Sequence, residues 1–137
     1  MKRIALLSVF SLMLASAIFA PVALAQVPGE VDVQSVTLGP GGSVTVTGTI
    51  QCPAEGYHYF GQVDVRQRTS GNVYNTVSLG FSGTCGDTGP TDFTASGFSN
   101  KPFHRGPATV QASSSIFTPD FSSAVNWQGG IEAVRIH

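Results

Sequence analysis

From Ser43 to Cys52 the chain alternates without a slip: Val44, Val46, Gly48, Ile50 and Cys52 interleave with Ser43, Thr45, Thr47, Thr49 and Gln51. A period of two sends successive side chains to opposite faces of an extended backbone, so this stretch is a strand with one buried face. A helix over the same residues would scatter its apolar groups around the axis. Cys52 therefore points into a core, and the strand needs neighbours to pair with.

The following segments supply them. Gly61, Val63, Val65 and Gln67 alternate with Gln62, Asp64, Arg66 and Arg68, which gives a strand with a charged outer face. Ser70-Gly71-Asn72 is a hairpin signal, and Val73, Val77, Leu79 and Phe81 continue beyond it. Before these, Val31, Val33, Val36 and Leu38 form a strand whose inward parity shifts near Gln34 and Ser35, as at a bulge. Phe93, Ala95 and Phe98 make a fifth strand, and Ala108, Val110 and Ala112 a sixth. The last part, with Val125, Trp127, Ile131, Ala133, Val134 and Ile136, reads as one or two strands interrupted by Gly129-Gly130. Nothing requires a helix. Seven or eight short strands between turn signals predict an all-β antiparallel sandwich, with a small closed β-barrel as the alternative.

The first 25 residues belong to a different pattern. Lys2 and Arg3 precede an apolar run from Ile4 to Ala20, and Ala23-Leu24-Ala25 offers small residues ahead of Gln26. This is the build of a secretory signal peptide, 1–25, leaving a domain at 26–137. The competing reading, a membrane anchor, wants about 20 strongly apolar residues, whereas serines and alanines dilute this run and Pro21 breaks it. No apolar tail accompanies Val134-Arg135-Ile136-His137, so a secreted, extracellular protein free of the membrane is expected. In an oxidising compartment Cys52 and Cys85 pair, and a loop of that length stabilises the fold by roughly 3–4 kcal/mol in the chain-entropy model.

Three segments carry a resemblance. The stretch Gly41 to Cys52 (GGSVTVTGTIQC), the CGDTG beginning at Cys85 and FHRGPATV from Phe103 to Val110 together resemble a group of small exported bacterial domains, typical of actinobacteria, with immunoglobulin-like sandwich folds and no assigned function. These are fold motifs, so the resemblance implies architecture and no chemistry. The chain departs from antibody-type domains in its close-spaced cysteines and in its single Trp127 near the end, so a central Trp against the disulfide is not expected.

The candidates for function are few. Without Lys2 and Arg3, five basic residues (Arg66, Arg68, Lys101, Arg105, Arg135) face eight acidic ones, a balance unsuited to nucleic acid or to an anionic membrane. No nucleophile elbow, zinc-protease motif, phosphate loop or dinucleotide fingerprint occurs. Glu55, Asp64, Asp87, Asp92, Asp120 and Glu132 fall in turns or on outward faces, where solvated charge is expected in place of a catalytic pair. His58, His104 and His137 are too dispersed for a metal site, and Asp87 and Asp92 lack the spacing of a calcium loop, so neither metal nor cofactor is expected. Tyr57-His58-Tyr59-Phe60 cannot all be buried on one side, and with Phe103, His104, Arg105 and Trp127 they are the candidate binding residues at the loop ends. Burial of Tyr59 or Phe60 and of Phe103 as end plugs is the structural alternative. The expected function is a non-enzymatic interaction module for a protein or a cell-envelope glycan. Competing readings are a small hydrolase or enzyme inhibitor, and a carrier of an apolar small molecule in a cleft lined by Phe81, Phe93, Phe98 or Phe117.

Overall fold

The computed structural model describes residues 27–137. The expected signal segment, 1–25, lies outside the described residues. Eight strands follow in chain order: β1 (Val31–Leu38), β2 (Val44–Cys52), β3 (His58–Ser70), β4 (Val73–Thr84), β5 (Gly89–Gly97), β6 (Gly106–Phe117), β7 (Ala124–Gln128) and β8 (Glu132–Ile136), with one 3-10 turn at Pro40–Gly42. The all-β expectation holds. No helix of the described residues is long and apolar enough to cross a membrane.

The alternation that predicts β2 is seen in full. Val44, Val46, Gly48, Ile50 and Cys52 are buried and the residues between them partly exposed. The parity shift in β1 is a bulge, because Val33 pairs with Gly48 and Ser35 with Thr47, leaving Gln34 as the extra residue.

The strands form one sheet in the order β4-β3-β6-β8-β1-β2-β5, with β7 pairing β6 off this path. This corrects the picture of two separate antiparallel sheets: β1 and β8 run parallel where Val36 meets Ile136 and join the two halves. Leu38 N–H donates to His137 O at 2.8 Å, and His137 N–H to Val36 O at 3.1 Å. Twist and the β1 bulge coil such a sheet upon itself, so the nearly closed barrel-like form prevails. The ends of the order, β4 and β5, meet through side chains. Phe81 stacks on Phe93 with ring centroids 3.9 Å apart, and a Cβ on Gly97 would lie 2.6 Å from Leu79 Cδ2. Each ring of the stack also covers a glycine: any side chain at Gly61 would overlap Phe81, and one at Gly48 would crowd Phe93 and overlap Asp32 O. The sequence Gly61, Phe81, Phe93, Gly48 thus spans the barrel interior in van der Waals contact.

Cys52 and Cys85 form a disulfide across 33 residues of chain, with Cα atoms 5.8 Å apart, inside the range a bridge can span. In the core, Val36, Val46, Ile50, Val63, Leu79 and Ile136 are fully buried.

Several details depart from the sequence reading. Strand β5 ends at Gly97, so Phe98 is not an inward residue and is 73% exposed. Val73 and Val125 face solvent too, at the fraying end of a hairpin and on an edge strand. Strand β6 runs five residues beyond Ala112, because the inward Ser114 satisfies its hydroxyl on Gly29 O and Ile116 follows it into the core. The inward end of β3 is closed by polar residues. Gln67 donates to His104 O at 2.7 Å and accepts from His104 N–H at 2.9 Å, while Asn75 donates to Lys101 O at 2.5 Å and accepts from Ser99. Two buried amides therefore latch the Phe98–Arg105 loop over the barrel mouth, where an apolar pair would leave backbone groups unpaired.

Candidate functional site

The eight candidate binding residues do not form one patch. Tyr59 is buried beside Gly83, and Phe103 is buried at the other end of β3, so these two are the plugs of opposite barrel mouths. His104 and Arg105 are exposed next to Phe103, on the loop held by Gln67. Tyr57 packs partly against the core. Trp127, expected at a loop end, lies instead on β7, half-buried against the core with its ring over Gly129; it covers the interval where β7 gives way to β8. His58 and Phe60 share the outer face of β3, apart from the loop that carries His104 and Arg105.

That face is the most structured surface of the molecule. Pairing registers place its outward side chains in rows across four strands: Ser82, Phe60, Ser115 and Asn126; then Gly80, Gln62, Ser113 and Gln128; then Ser78, Asp64 and Gln111; then Thr76, Arg66 and Thr109. Two depressions adjoin along it. One, of about 470 Å³, is lined by Phe60, Gln62, Ser113, Ser115, Asn126 and Gln128 among others. The second, of about 530 Å³, is lined by Asp64, Arg66, Tyr74, Ser78, Gln111 and Ile131 among others. Between Phe60 and Arg66 a strand rises roughly 20 Å, which sets the length of the groove.

Its walls follow from irregularities in the chain. The last strand is broken: β7 pairs with the end of β6 and β8 with its beginning, and Gly129-Gly130-Ile131 lies between them. Gln111 donates to Gly129 O at 3.2 Å and Gly129 N–H to Ala112 O at 2.9 Å, fixing the break, and Ile131 stands 71% exposed at the rim. Gly80 leaves the row through Gln62 bare on the β4 side, where the nearest atom to an added Cβ would be Gly61 O at 4.0 Å.

Most polar groups of the groove already have one partner. Asp64 accepts from Gln62 Nε2 at 2.8 Å and from Ser78 at 2.5 Å, Ser115 donates to Asn126 at 2.7 Å, and the Arg66 guanidinium lies 3.9 Å above the Tyr74 ring. Among the described residues, the side chains of Ser113 and Gln128 make no hydrogen bond. Amides keep both a donor and an acceptor in reserve after one bond, so the floor can engage a polar ligand at several points.

An aromatic cluster closes one end of the groove. Phe60, 49% exposed, meets Phe117 edge-on at 5.7 Å; Phe117 lies 5.8 Å from Phe121; and Phe121 stacks on His58 at 4.5 Å with the planes 5° apart. Phe121 is 56% exposed and holds φ at 59°, a left-handed backbone that costs a phenylalanine about 1–2 kcal/mol. The turn around it repays this. Asp120 accepts from Thr118 Oγ1 at 2.7 Å, from Ser122 Oγ at 2.7 Å and from Ser122 N–H at 3.1 Å, and these bonds hold its carboxyl at about 2, below the ordinary 3.8. Sequence reading placed Asp120 on the surface and overlooked Phe121; the signal available was the pattern Thr-x-Asp-x-Ser around an aromatic residue.

Of the other carboxylates, Asp87 is exposed in a turn and accepts from the next N–H, that of Thr88, at 2.7 Å. Among the described residues no three His, Cys, Asp or Glu side chains converge as metal ligands would. The four phenylalanines of the carrier reading do not line one cleft, because Phe81 and Phe93 fill the core, Phe98 is exposed and Phe117 belongs to the surface cluster.

The chain matches no family model, no curated protein and no solved structure.

Proposed function

We propose that the protein is a secreted, non-enzymatic binding module, akin to the small exported actinobacterial domains it resembles, whose ligand lies along the outer face of β3 and β6. The observation that carries this is the pair of adjoining depressions floored by Gln62, Ser113, Gln111 and Gln128 and flanked by an exposed aromatic cluster. Amide and hydroxyl side chains hold ligands but do not ionise near neutral pH, and the one carboxylate lining the groove, Asp64, already accepts from Gln62 and Ser78. These features support binding over hydrolysis. The segment 1–25 and the Cys52–Cys85 bridge support export, since disulfides persist in oxidising compartments.

The test begins with the full chain expressed in an exporting bacterium. Protein recovered from the medium should begin at Gln26 by mass spectrometry; retention of residues 1–25 would overturn the secretory part. Isotope-labelled protein titrated with an envelope extract of the source cells should then show amide shifts centred on β3, β6 and β7. Shifts centred on β1, β2 and β5, or no shifts, would overturn the groove as the site.

A further inference from the structure

Resting on that reading of the groove, we infer that its ligand is a neutral, extended polysaccharide, lying along β3 with one sugar ring stacked on Phe60. Four features select this class. The groove is roughly 20 Å long, so a small ligand leaves most of it empty while a linear polymer fills it. Its floor presents the side-chain amides of Gln62, Gln111, Asn126 and Gln128, each a paired donor and acceptor that matches neighbouring hydroxyls on a sugar.

Its lining holds one acid, Asp64, which accepts from Gln62 and Ser78, and one base, Arg66, which lies over the Tyr74 ring, so the groove carries no net charge. An anionic polymer calls for clustered Lys and Arg, and this face has only Arg66 and Arg68 in sequence on one strand. Finally, the distribution of apolar groups differs from that of a protein interface. Protein partners are held by aromatic anchors at a central, desolvated core with a polar rim. Here Phe60, Trp127, Tyr74 and Ile131 are spread along the groove between the amides and hydroxyls, with no single aromatic centre. Phe60 is half-exposed and braced edge-on by Phe117, which fixes its ring as a platform for the C–H face of a sugar.

The probe is the source-cell envelope extract, divided into untreated, periodate-oxidised and protease-digested portions. Periodate cleaves vicinal diols and destroys a glycan ligand while leaving most polypeptide intact. The amide shifts on β3, β6 and β7 should survive protease, vanish after periodate and persist at about 1 M salt, where screening shortens to about 3 Å. Phe60→Ala should weaken binding about tenfold and Gln128→Ala severalfold, while Thr94→Ala on the opposite face leaves it unchanged. All three positions are surface-facing, and unchanged urea midpoints confirm that the variants fold. Shifts that survive periodate and vanish with protease overturn the polysaccharide while leaving the groove as a site. Loss in high salt, or full binding by Phe60→Ala, also overturns it. Absence of any shift on this face overturns the groove itself.

Discussion

The barrel has two broad outer faces built by the same alternation, and they differ in what they leave open. On β1, β2 and β5 the outward rows are Thr37, Thr45 and Ser96; Ser35, Thr47 and Thr94; Asp32, Thr49 and Asp92. Its short hydroxyls bond to one another or to backbone, Ser35 to Thr47 at 2.5 Å, Thr45 to Ser96 at 2.8 Å and Thr37 to Thr45 O at 3.4 Å. The face of β3, β4, β6 and β7 carries longer amides, aromatic rings and a broken strand, and both large depressions open there. Polarity alone therefore does not open a depression. Depressions form where strand regularity fails and side chains reach past their immediate neighbours.

The heaviest perturbation should strip both faces of their common support. Cys52→Ala with Cys85→Ala is expected to lower stability by roughly 3–4 kcal/mol in urea unfolding, with faster amide exchange on both faces. A loss under about 1 kcal/mol would show that the Phe81–Phe93 stack holds the β4–β5 seam unaided. Next come the glycines beneath each face. Gly48→Ala and Gly61→Ala should each cost about 1–3 kcal/mol by overpacking, with Gly48→Ala the worse, because its methyl meets the backbone carbonyl of Asp32 whereas at Gly61 it meets the Phe81 ring, which can tilt. The reverse order would mean that the ring stack is the stiffer element.

Hydroxyl removal tests the contrast directly. Thr47→Val deletes the partner of Ser35 and should cost about 0.5–1.5 kcal/mol, while Ser113→Ala in the groove should stay within about 0.5 kcal/mol. Equal losses would erase the distinction between a self-satisfied face and a receptive one. The subtlest effect is at the rim. The Asp120 carboxyl titrates at about 2 against an ordinary 3.8, so the order it lends the Thr118–Ser123 turn is complete above about pH 4 and is lost as pH falls toward 2. Ring-proton shifts of Phe121 and His58 should follow that titration and lose it in Asp120→Asn. An unchanged Asp120→Asn profile would assign the transition elsewhere.

Much of the scaffold was legible because period-two burial is a local property. The alternation in β2 and β3, the bulge at Gln34, the hairpin at Gly71 and the break at Gly129 all sit within short windows of sequence. The cysteine pair was legible for a chemical reason, since two lone thiols bond in the oxidising compartment that the sequence reading expects. What could not be read depends on which strands become neighbours. Parallel pairing of β1 with β8 joins residues a hundred positions apart, and no local pattern marks Val36 for Ile136. Tyr59 and Phe60 look alike in sequence, yet the strand phase buries the first and presents the second. Trp127 looked like a loop-end anchor because its strand is short and follows a polar turn. Gln67 and Asn75 occupied inward positions without a visible reason, which the latched Phe98–Arg105 loop supplies.

Closure between β4 and β5 has an evolutionary reach of its own. Where strands are zipped by backbone bonds, the gap between them is a constant of peptide geometry; where rings bridge them, the gap is set by residue choice. Trading Phe81 or Phe93 for smaller or larger neighbours, with Gly48 and Gly61 as the matching vacancies, would let descendants of this chain change the barrel's girth by single substitutions, while the strands that line the groove keep their pairing.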